Sequence, residues 1–286
     1  MAYLLALLSA AAYGTADFLG GLASRGASTA AVVFVSQAAG LVVLAGLLPV
    51  LPAAAPTARD LWWGLAAGIA GSVGVALLYR ALAIGTMALV APTTAVCAVI
   101  IPVAAGVILG ERPTARVTLG IVIALAAIVL VSQAPSSSPH AMLPDPHVEP
   151  SGVPRGLGMA LLSGIAIGFF FLCLAQTDMA AGLWPLAVAR SAALVLFAPV
   201  ALRPAARRMG ARALGTAVAG GILDMLANAF YLIAVREGPL AAVVTLSSLY
   251  PASTILLARV VLHERLRRLQ MAGIAAALAA VLLIAG

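Results

Sequence analysis

The chain has 286 residues, of which 64% are hydrophobic and only 9% are charged. Because soluble globular domains carry roughly 25% charged residues, this composition excludes a soluble fold and predicts a membrane protein. The formal charge of +7 comes from arginine alone, since the chain contains no lysine. These arginines stand singly or in short clusters between apolar segments, as topology signals do, so we do not expect nucleic-acid binding.

Ten apolar segments follow one another along the chain, separated by charged residues, proline and glycine. Each is close to the ~20 residues that an α-helix needs to cross a bilayer, and none shows the alternation of a transmembrane β-strand. The predicted helices are residues 2–22, 28–51, 61–82, 87–109, 116–133, 156–176, 182–202, 213–235, 239–262 and 269–285. The first segment lacks the positively charged start of a secretory signal and is predicted to be a retained helix. The predicted fold is all-α, a polytopic membrane protein with ten transmembrane helices.

The two halves of the chain are predicted to be repeats of each other. Residues 134–155 are rich in proline and serine and form a predicted linker between residues 1–133 and residues 156–286. With a displacement of 153 residues, the halves align at Gly85 and Gly238, Glu111 and Glu264, Arg112 and Arg265, and Gly120 and Gly273. Since each repeat has five helices, the second enters the membrane in the opposite orientation. The result is an inverted repeat, with a substrate site expected near the midplane.

Among the charged residues of the apolar segments, where a charge costs roughly 2.5–3.5 kcal/mol, four are expected to face a cavity or a partner. They are Asp17, Arg80, Arg190 and Asp224. Their depths along the helices would let Asp17 pair with Arg80, and Arg190 with Asp224. None recurs at the repeat-related position, which favours an asymmetric ligand. Two interpretations stay open: ion pairs that only neutralise each other, and direct contact with a substrate or a coupling proton.

The eighth predicted helix carries a polar stripe. Asp224, Asn228 and Tyr231 follow one another at i, i+4 and i+7, so they lie along one helix face. Such a stripe indicates a cavity lining, and interhelical hydrogen bonding is the alternative.

A proline interrupts the ninth predicted helix. Pro251 removes a backbone donor and bends the helix, and Ser247, Ser248 and Tyr250 can bond the freed backbone groups. Bent backbone at this depth is typical of a binding cavity.

Aromatic side chains could form an apolar lining around a planar ligand, with plain packing and lipid contact as the alternatives. They are Tyr13, Tyr79, Phe169, Phe170, Phe171, Tyr231 and Tyr250.

The third and seventh predicted helices begin with tryptophans, Trp62, Trp63 and Trp184, which indicate an interfacial belt. Gly64 and Gly68 form a GxxxG motif, which predicts close helix packing.

The sequence contains no catalytic or metal-binding pattern. No histidine lies within an apolar segment beside serine or cysteine, and Cys97 and Cys173 lack paired spacing for a metal or a disulfide. A glycine-rich phosphate loop with its lysine is also missing. We therefore expect no enzymatic activity, no metal and no cofactor.

The two Glu-Arg pairs carry a resemblance to a known family. Each repeat has a Gly-Glu-Arg or His-Glu-Arg loop with a glycine nine residues after the glutamate, and Pro251 lies thirteen residues before Glu264. Over essentially its whole length the chain resembles the EamA-type branch of the drug/metabolite transporter superfamily. The first half departs from the pattern, because Ala98 stands where the proline is expected and Pro102 is displaced. The Glu-Arg corners themselves are predicted to be structural, each glutamate lying near a helix start where the dipole stabilises it.

This resemblance implies a secondary transporter of the inner (plasma) membrane, with a central cavity built from both halves and alternating access. The chain is similar to bacterial amino-acid and metabolite exporters, those of the YddG type for aromatic amino acids among them. The expected partners are a small-molecule substrate and the lipid bilayer, with the protein a monomer. Multidrug or cationic efflux is the alternative, followed by a structural or enzymatic membrane protein. Proton coupling and facilitated diffusion both stay open.

An amphiphilic amino acid would place its ammonium on Asp224 or Asp17 and its carboxylate on an arginine. The candidate substrate-binding residues are Tyr13, Asp17, Tyr79, Arg80, Phe169, Arg190, Asp224, Asn228, Tyr231, Ser247, Ser248 and Tyr250.

The sequence contains conflicting indications of the membrane orientation. With the N-terminus inside, the cytoplasmic loops would hold four arginines and the opposite loops nine, the reverse of the positive-inside rule. The family pattern and the first half favour the N-terminus inside, and that orientation is our prediction.

Overall fold

The computed structural model describes residues 1–50, 53–85, 87–131, 156–201, 203, 209–262 and 268–285, and these residues form an all-helical bundle. The helices are α1 Ala2–Gly26, α2 Thr29–Leu47, α3 Ala58–Ile84, α4 Met87–Ile108, α5 Ala115–Val131, α6 Leu157–Ala175, α7 Trp184–Ala201, α8 Ala211–Glu237, α9 Leu240–Ser247, α10 Tyr250–Leu262 and α11 Arg268–Ala285, with a short 3-10 helix at Met179–Ala181. Six helices of the described part are long and apolar enough to cross a membrane, namely α1, α2, α3, α6, α7 and α8. The predicted linker and Glu264 lie outside the described residues.

Each predicted segment contains a helix, but the ninth is divided into α9 and α10. Pro251 has no N–H to donate to the carbonyl oxygen four residues earlier. The backbone therefore tightens at the break: the N–H of Leu249 donates to the carbonyl oxygen of Leu246 at 3.2 Å, and that of Ala252 donates to the carbonyl oxygen of Leu249 at 3.0 Å. The predicted bend is confirmed, and it amounts to a break between two helices.

The start of α3 lies three residues before its predicted position because a capping box extends the helix. The N–H of Asp60 donates to Thr57 Oγ1 at 3.3 Å, and the N–H of Thr57 donates to Asp60 Oδ2 at 2.9 Å. These two bonds satisfy backbone donors that the helix itself leaves free.

Most helix contacts join one half of the chain to the other. Helix α1 packs on α8 and α10, and α6, its counterpart in the predicted repeat, packs on α3 and α4. Helices α2 and α7 contact each other, as do α5 and α11. Each of these contacts recurs when the halves are exchanged, and the two halves share one core.

Small residues permit this close packing, as the GxxxG motif predicts. A Cβ added at Gly64 would lie 2.8 Å from the carbonyl oxygen of Pro185, and one at Gly68 would lie 2.6 Å from the Cα of Ala189. Any larger residue would force α3 away from α7.

At the end of the bundle where α1 and α9 begin, two carboxylates of the first half accept hydrogen bonds from backbone N–H groups of the second half. Glu111 accepts hydrogen bonds from the N–H groups of Leu240 at 2.7 Å and Ala241 at 3.0 Å. Asp60 accepts one from the N–H of Asp178 at 2.7 Å. The prediction that Glu111 meets a helix dipole is confirmed, and the helix is α9 of the other half.

Replacing Glu111 with glutamine is expected to lower the stability of the protein by about 0.5–2 kcal/mol. The oxygen of the glutamine amide can accept one of the two backbone N–H bonds. The NH₂ group of the amide is itself a donor and cannot accept the other bond, and the negative charge at the start of α9 is lost. Thermal unfolding of the purified protein in detergent measures the change. Glu237→Gln is the matched control, because Glu237 is an exposed glutamate at the end of α8. Equal unfolding temperatures for the two variants would contradict the bracing role of Glu111.

Candidate functional site

A cavity of about 60 Å³ lies inside the bundle between helices of both halves. Its walls come from α1, α2, α3 and the first part of α10, together with α6, α7 and α8. The lining residues are Tyr13, Asp17, Gln37, Ala67, Gly68, Gly71, Ser72, Val75, Leu78, Ile167, Phe170, Phe171, Leu186, Ala189, Arg190, Ala193, Asp224, Asn228 and Tyr250. Apolar walls with a few polar groups are typical of small-molecule sites.

A buried ion pair forms one wall of the cavity. Arg190 Nη2 lies 2.6 Å from Asp224 Oδ2, and Arg190 Nη1 donates a hydrogen bond to Gln37 Oε1 at 2.7 Å. All three residues are less than a tenth exposed. The predicted pairing of Arg190 with Asp224 is confirmed, and the charge of each group is compensated by the other.

Gln37 is a cavity residue that was not among the predicted site residues. A lone amide in α2 gives no signal of its own, but Gln37 occupies the position that the repeat assigns to Arg190. Helices α2 and α7 are counterparts in the predicted repeat, and they contact each other. Counterpart residues meet where two related halves share an axis, so the predicted repeat could have indicated that Gln37 lies beside Arg190.

The ion pair continues into a chain of hydrogen bonds that reaches α1. Asn228 Nδ2 donates to the carbonyl oxygen of Asp224 at 2.6 Å and to its Oδ2 at 3.2 Å. Tyr13 Oη donates to Asn228 Oδ1 at 2.9 Å. Together with the Arg190 and Gln37 bonds, this network joins α1, α8, α7 and α2 across the two halves, and it fixes the polar groups in the cavity wall.

A glycine makes room for the guanidinium. A Cβ at Gly40 would lie 2.8 Å from Arg190 Nη1 and 3.1 Å from the carbonyl oxygen of Gly221. Neither neighbour can retreat freely, because the guanidinium is held by two hydrogen bonds and the carbonyl belongs to a helix backbone.

Gly40→Ala is expected to destabilise the protein by about 1–3 kcal/mol, the usual cost of overpacking. Gly46→Ala is its matched control on the same helix, since a Cβ at Gly46 meets nothing within 4 Å. The control is expected to be neutral or stabilising by up to about 1 kcal/mol, because alanine favours helix more than glycine does. Thermal unfolding of both variants compares them, and a Gly40→Ala protein as stable as Gly46→Ala would show that the guanidinium is not tightly held.

The predicted pairing of Asp17 with Arg80 is wrong. Asp17 is 9% exposed and lines the cavity, whereas Arg80 is exposed on the outside of the bundle. Successive helix residues point about 100° apart, and in α3 it is Tyr79 that faces inward, 1% exposed. Depth along the axis was predictable, but the rotation of α3 was not.

Asp17 and Tyr250 line the cavity, and their polar groups have no partner among the described residues. Within the described part of the chain, no hydrogen bond or ion pair engages the Asp17 carboxylate. The hydroxyl of Tyr250, a residue only 3% exposed, also lacks a hydrogen-bond partner there. Since more than nine in ten buried polar groups in proteins are hydrogen-bonded, two such groups in one small cavity make it the candidate site for a ligand.

The other predicted site residues lie away from this cavity. Tyr231 is buried and donates to the carbonyl oxygen of Phe171 at 3.0 Å. This residue of the polar stripe therefore makes a hydrogen bond between helices and does not line the cavity. Ser247 donates to the carbonyl oxygen of Ala6 at 3.4 Å. The hydroxyl of Ser248 is buried and has no partner among the described residues. Phe169 is 49% exposed on the outer surface of α6.

Phe170 and Phe171 are the aromatic residues of α6 that line the cavity. Phe171 packs against Tyr13 with ring centroids 5.8 Å apart and against Tyr231 at 4.5 Å. Three consecutive phenylalanines sit in a helix that is apolar on every side, so the sequence could not tell which of them point inward.

Comparison with known proteins assigns the chain to a family. The sequence pattern of the EamA-like transporter family matches residues 1–133 and 154–286. The chain belongs to the EamA-like transporter family. This membership, together with the apolar helices, makes it a multi-pass membrane protein of a family of small-molecule transporters that are typically not enzymes.

One solved structure, titled "Crystal structure of protein", resembles this EamA-like chain with a TM-score of 0.70. The two are 16% identical, and the match covers 99% of this chain and 98% of the other. A likeness at this identity shows a shared fold. No curated protein matches the chain.

Proposed function

We propose that this protein is a secondary transporter that binds a small amphiphilic molecule in the cavity between its halves and exposes it alternately to the two sides of the membrane. The observation that carries the proposal is the buried polar network of Tyr13, Asn228, Asp224, Arg190 and Gln37 in the cavity wall. Ionisable residues inside a membrane are costly and mark substrate or ion pathways.

The proposed architecture is ten transmembrane helices in two five-helix repeats of opposite orientation. The exchange of contacts between α1–α8 and α6–α3 supports it, as does the matching of the family pattern in each half. In transporters built this way the substrate site lies between the repeats near the midplane. The proposed location is the inner (plasma) membrane, with the N-terminus on the cytoplasmic side and the protein a monomer.

Substrate entry requires the helices to separate. The cavity measures about 60 Å³, whereas ligand pockets usually occupy about 300–1,000 Å³. The bonds from Glu111 to α9 and from Asp60 to Asp178 join the halves at one end of the bundle. In the proposed cycle these bonds break when that end opens and form again when it closes.

Two substrate classes suit the groups that line the cavity. The first is amino acids, aromatic ones included, exported with the ammonium near a carboxylate and the ring among Tyr13, Phe170 and Phe171. The second is cationic amphiphiles without a carboxylate. What favours the second class is that Arg190 already bonds Asp224 and Gln37, which leaves its guanidinium little capacity for a substrate carboxylate.

Uptake into proteoliposomes tests the proposal. Purified protein would be assayed with the aromatic amino acids, a set of other amino acids, and organic cations, each with and without a pH gradient. Protein-free liposomes are the control. Saturable uptake of at least one of these compounds above the control supports the proposal, and its dependence on the pH gradient separates proton coupling from facilitated diffusion. Uptake of all compounds at the control rate would contradict the proposal.

A further inference from the structure

The charges in the cavity do not balance. Two carboxylates, Asp17 and Asp224, and one guanidinium, Arg190, line it. Asp224 and Arg190 compensate each other at 2.6 Å, so among the described residues the carboxylate of Asp17 has no charged partner. Arg80 is exposed on the outside of the bundle. A buried carboxylate is unfavourable unless a proton or another positively charged group neutralises it, and a cation that enters the cavity would supply that charge.

The groups around Asp17 suit such a cation. Tyr250 also lines this cavity, and its buried hydroxyl has no hydrogen-bond partner among the described residues. An ammonium has three N–H donors to distribute among such acceptors. Tyr13, Phe170 and Phe171 also line this space, and aromatic faces attract cations. Carboxylate, phenol and aromatic rings together form a site for the charged end of an organic cation, while the rest of the lining accepts its apolar body.

We infer that the substrate of the proposed transporter is a monocationic amphiphile whose ammonium binds Asp17, assisted by the hydroxyl of Tyr250. This inference rests on the proposed function and specifies its substrate class. It selects organic cations over zwitterionic amino acids, because a substrate carboxylate would meet Asp17 and Asp224 with only the occupied Arg190 to oppose them. Anionic analogues are excluded by the same charges.

Three compounds with the same phenyl group test the charge preference: phenethylammonium, phenylalanine and 3-phenylpropionate. Binding to the purified wild-type protein in nanodiscs at neutral pH would be measured by calorimetry. Phenethylammonium is expected to bind most tightly and 3-phenylpropionate least. Asp17→Asn should weaken phenethylammonium binding by about 10- to 100-fold, as expected for loss of a charged hydrogen bond, and should not weaken 3-phenylpropionate binding. Tyr250→Phe should weaken phenethylammonium binding by a smaller factor.

Glu237→Gln removes the same charge at an exposed position on α8 and is expected to bind phenethylammonium as the wild type does. Undetectable binding of phenethylammonium to the wild type would overturn the inference, as would unchanged binding to a folded Asp17→Asn protein. Wild-type binding of phenylalanine or 3-phenylpropionate as tight as that of phenethylammonium would also overturn it. The proposed function fails separately, when no compound is taken up by proteoliposomes.

Discussion

Replacing Arg190 with alanine is expected to destabilise the folded protein by about 3–5 kcal/mol, the cost of breaking a buried ion pair, and to abolish transport. The carboxylate of Asp224 would stay buried, 8% exposed, without its guanidinium. Gln37 would lose the donor to its Oε1 as well. The effect is large because two buried polar groups lose a partner.

Thermal unfolding of the purified protein measures this loss, and Arg80→Ala is the matched control. Arg80 is an exposed arginine on α3, so its replacement is expected to change stability by no more than about 0.5 kcal/mol. If Arg190→Ala unfolded at the same temperature as Arg80→Ala, the ion pair would contribute nothing to the fold.

The double variant Arg190→Met, Asp224→Leu separates the structural role of the pair from its role in transport. Replacing both charges with apolar residues of similar volume is often neutral or stabilising, so this variant should recover much of the stability lost in Arg190→Ala. Transport should stay absent, because the charged pair that holds Gln37 and Asn228 in the cavity wall is gone. Wild-type transport by the double variant would show that the two charges only neutralise each other.

Much of the fold was predictable from the sequence because it depends on the spacing of apolar and breaking residues. Ten apolar segments, the interruption at Pro251 and the depth of Arg190 relative to Asp224 all follow from counting along the chain. Such counting fixes positions along a helix axis. It does not fix how each helix is rotated about that axis.

Two of the errors at the candidate site concern rotation. Arg80 and Tyr79 are adjacent, yet one is exposed and the other buried. Phe169 points outward while Phe170 lines the cavity. In these helices both faces are apolar, since lipid is as apolar as the interior. The sequence therefore lacks the amphipathic pattern that would identify the inward face, and only helix packing decides it.

Filling the cavity is expected to stop transport without removing any polar group. Ala193 lines the cavity on α7 and is 1% exposed, so the larger side chain of Ala193→Leu is expected to project into the cavity. Overpacking is expected to cost about 1–3 kcal/mol of stability, which leaves the cavity occupied in a folded protein. Val195→Leu is the matched control, because Val195 is 75% exposed on the outer face of the same helix.

The central claim is that substrate passes through this cavity between the halves, and uptake by these two variants tests it most directly. Initial rates in proteoliposomes would be compared for the wild type, Ala193→Leu and Val195→Leu, with correct folding checked by thermal unfolding. We expect uptake to be lost in Ala193→Leu and retained in Val195→Leu. Wild-type uptake by a folded Ala193→Leu protein would contradict the claim and place the substrate pathway elsewhere in the bundle.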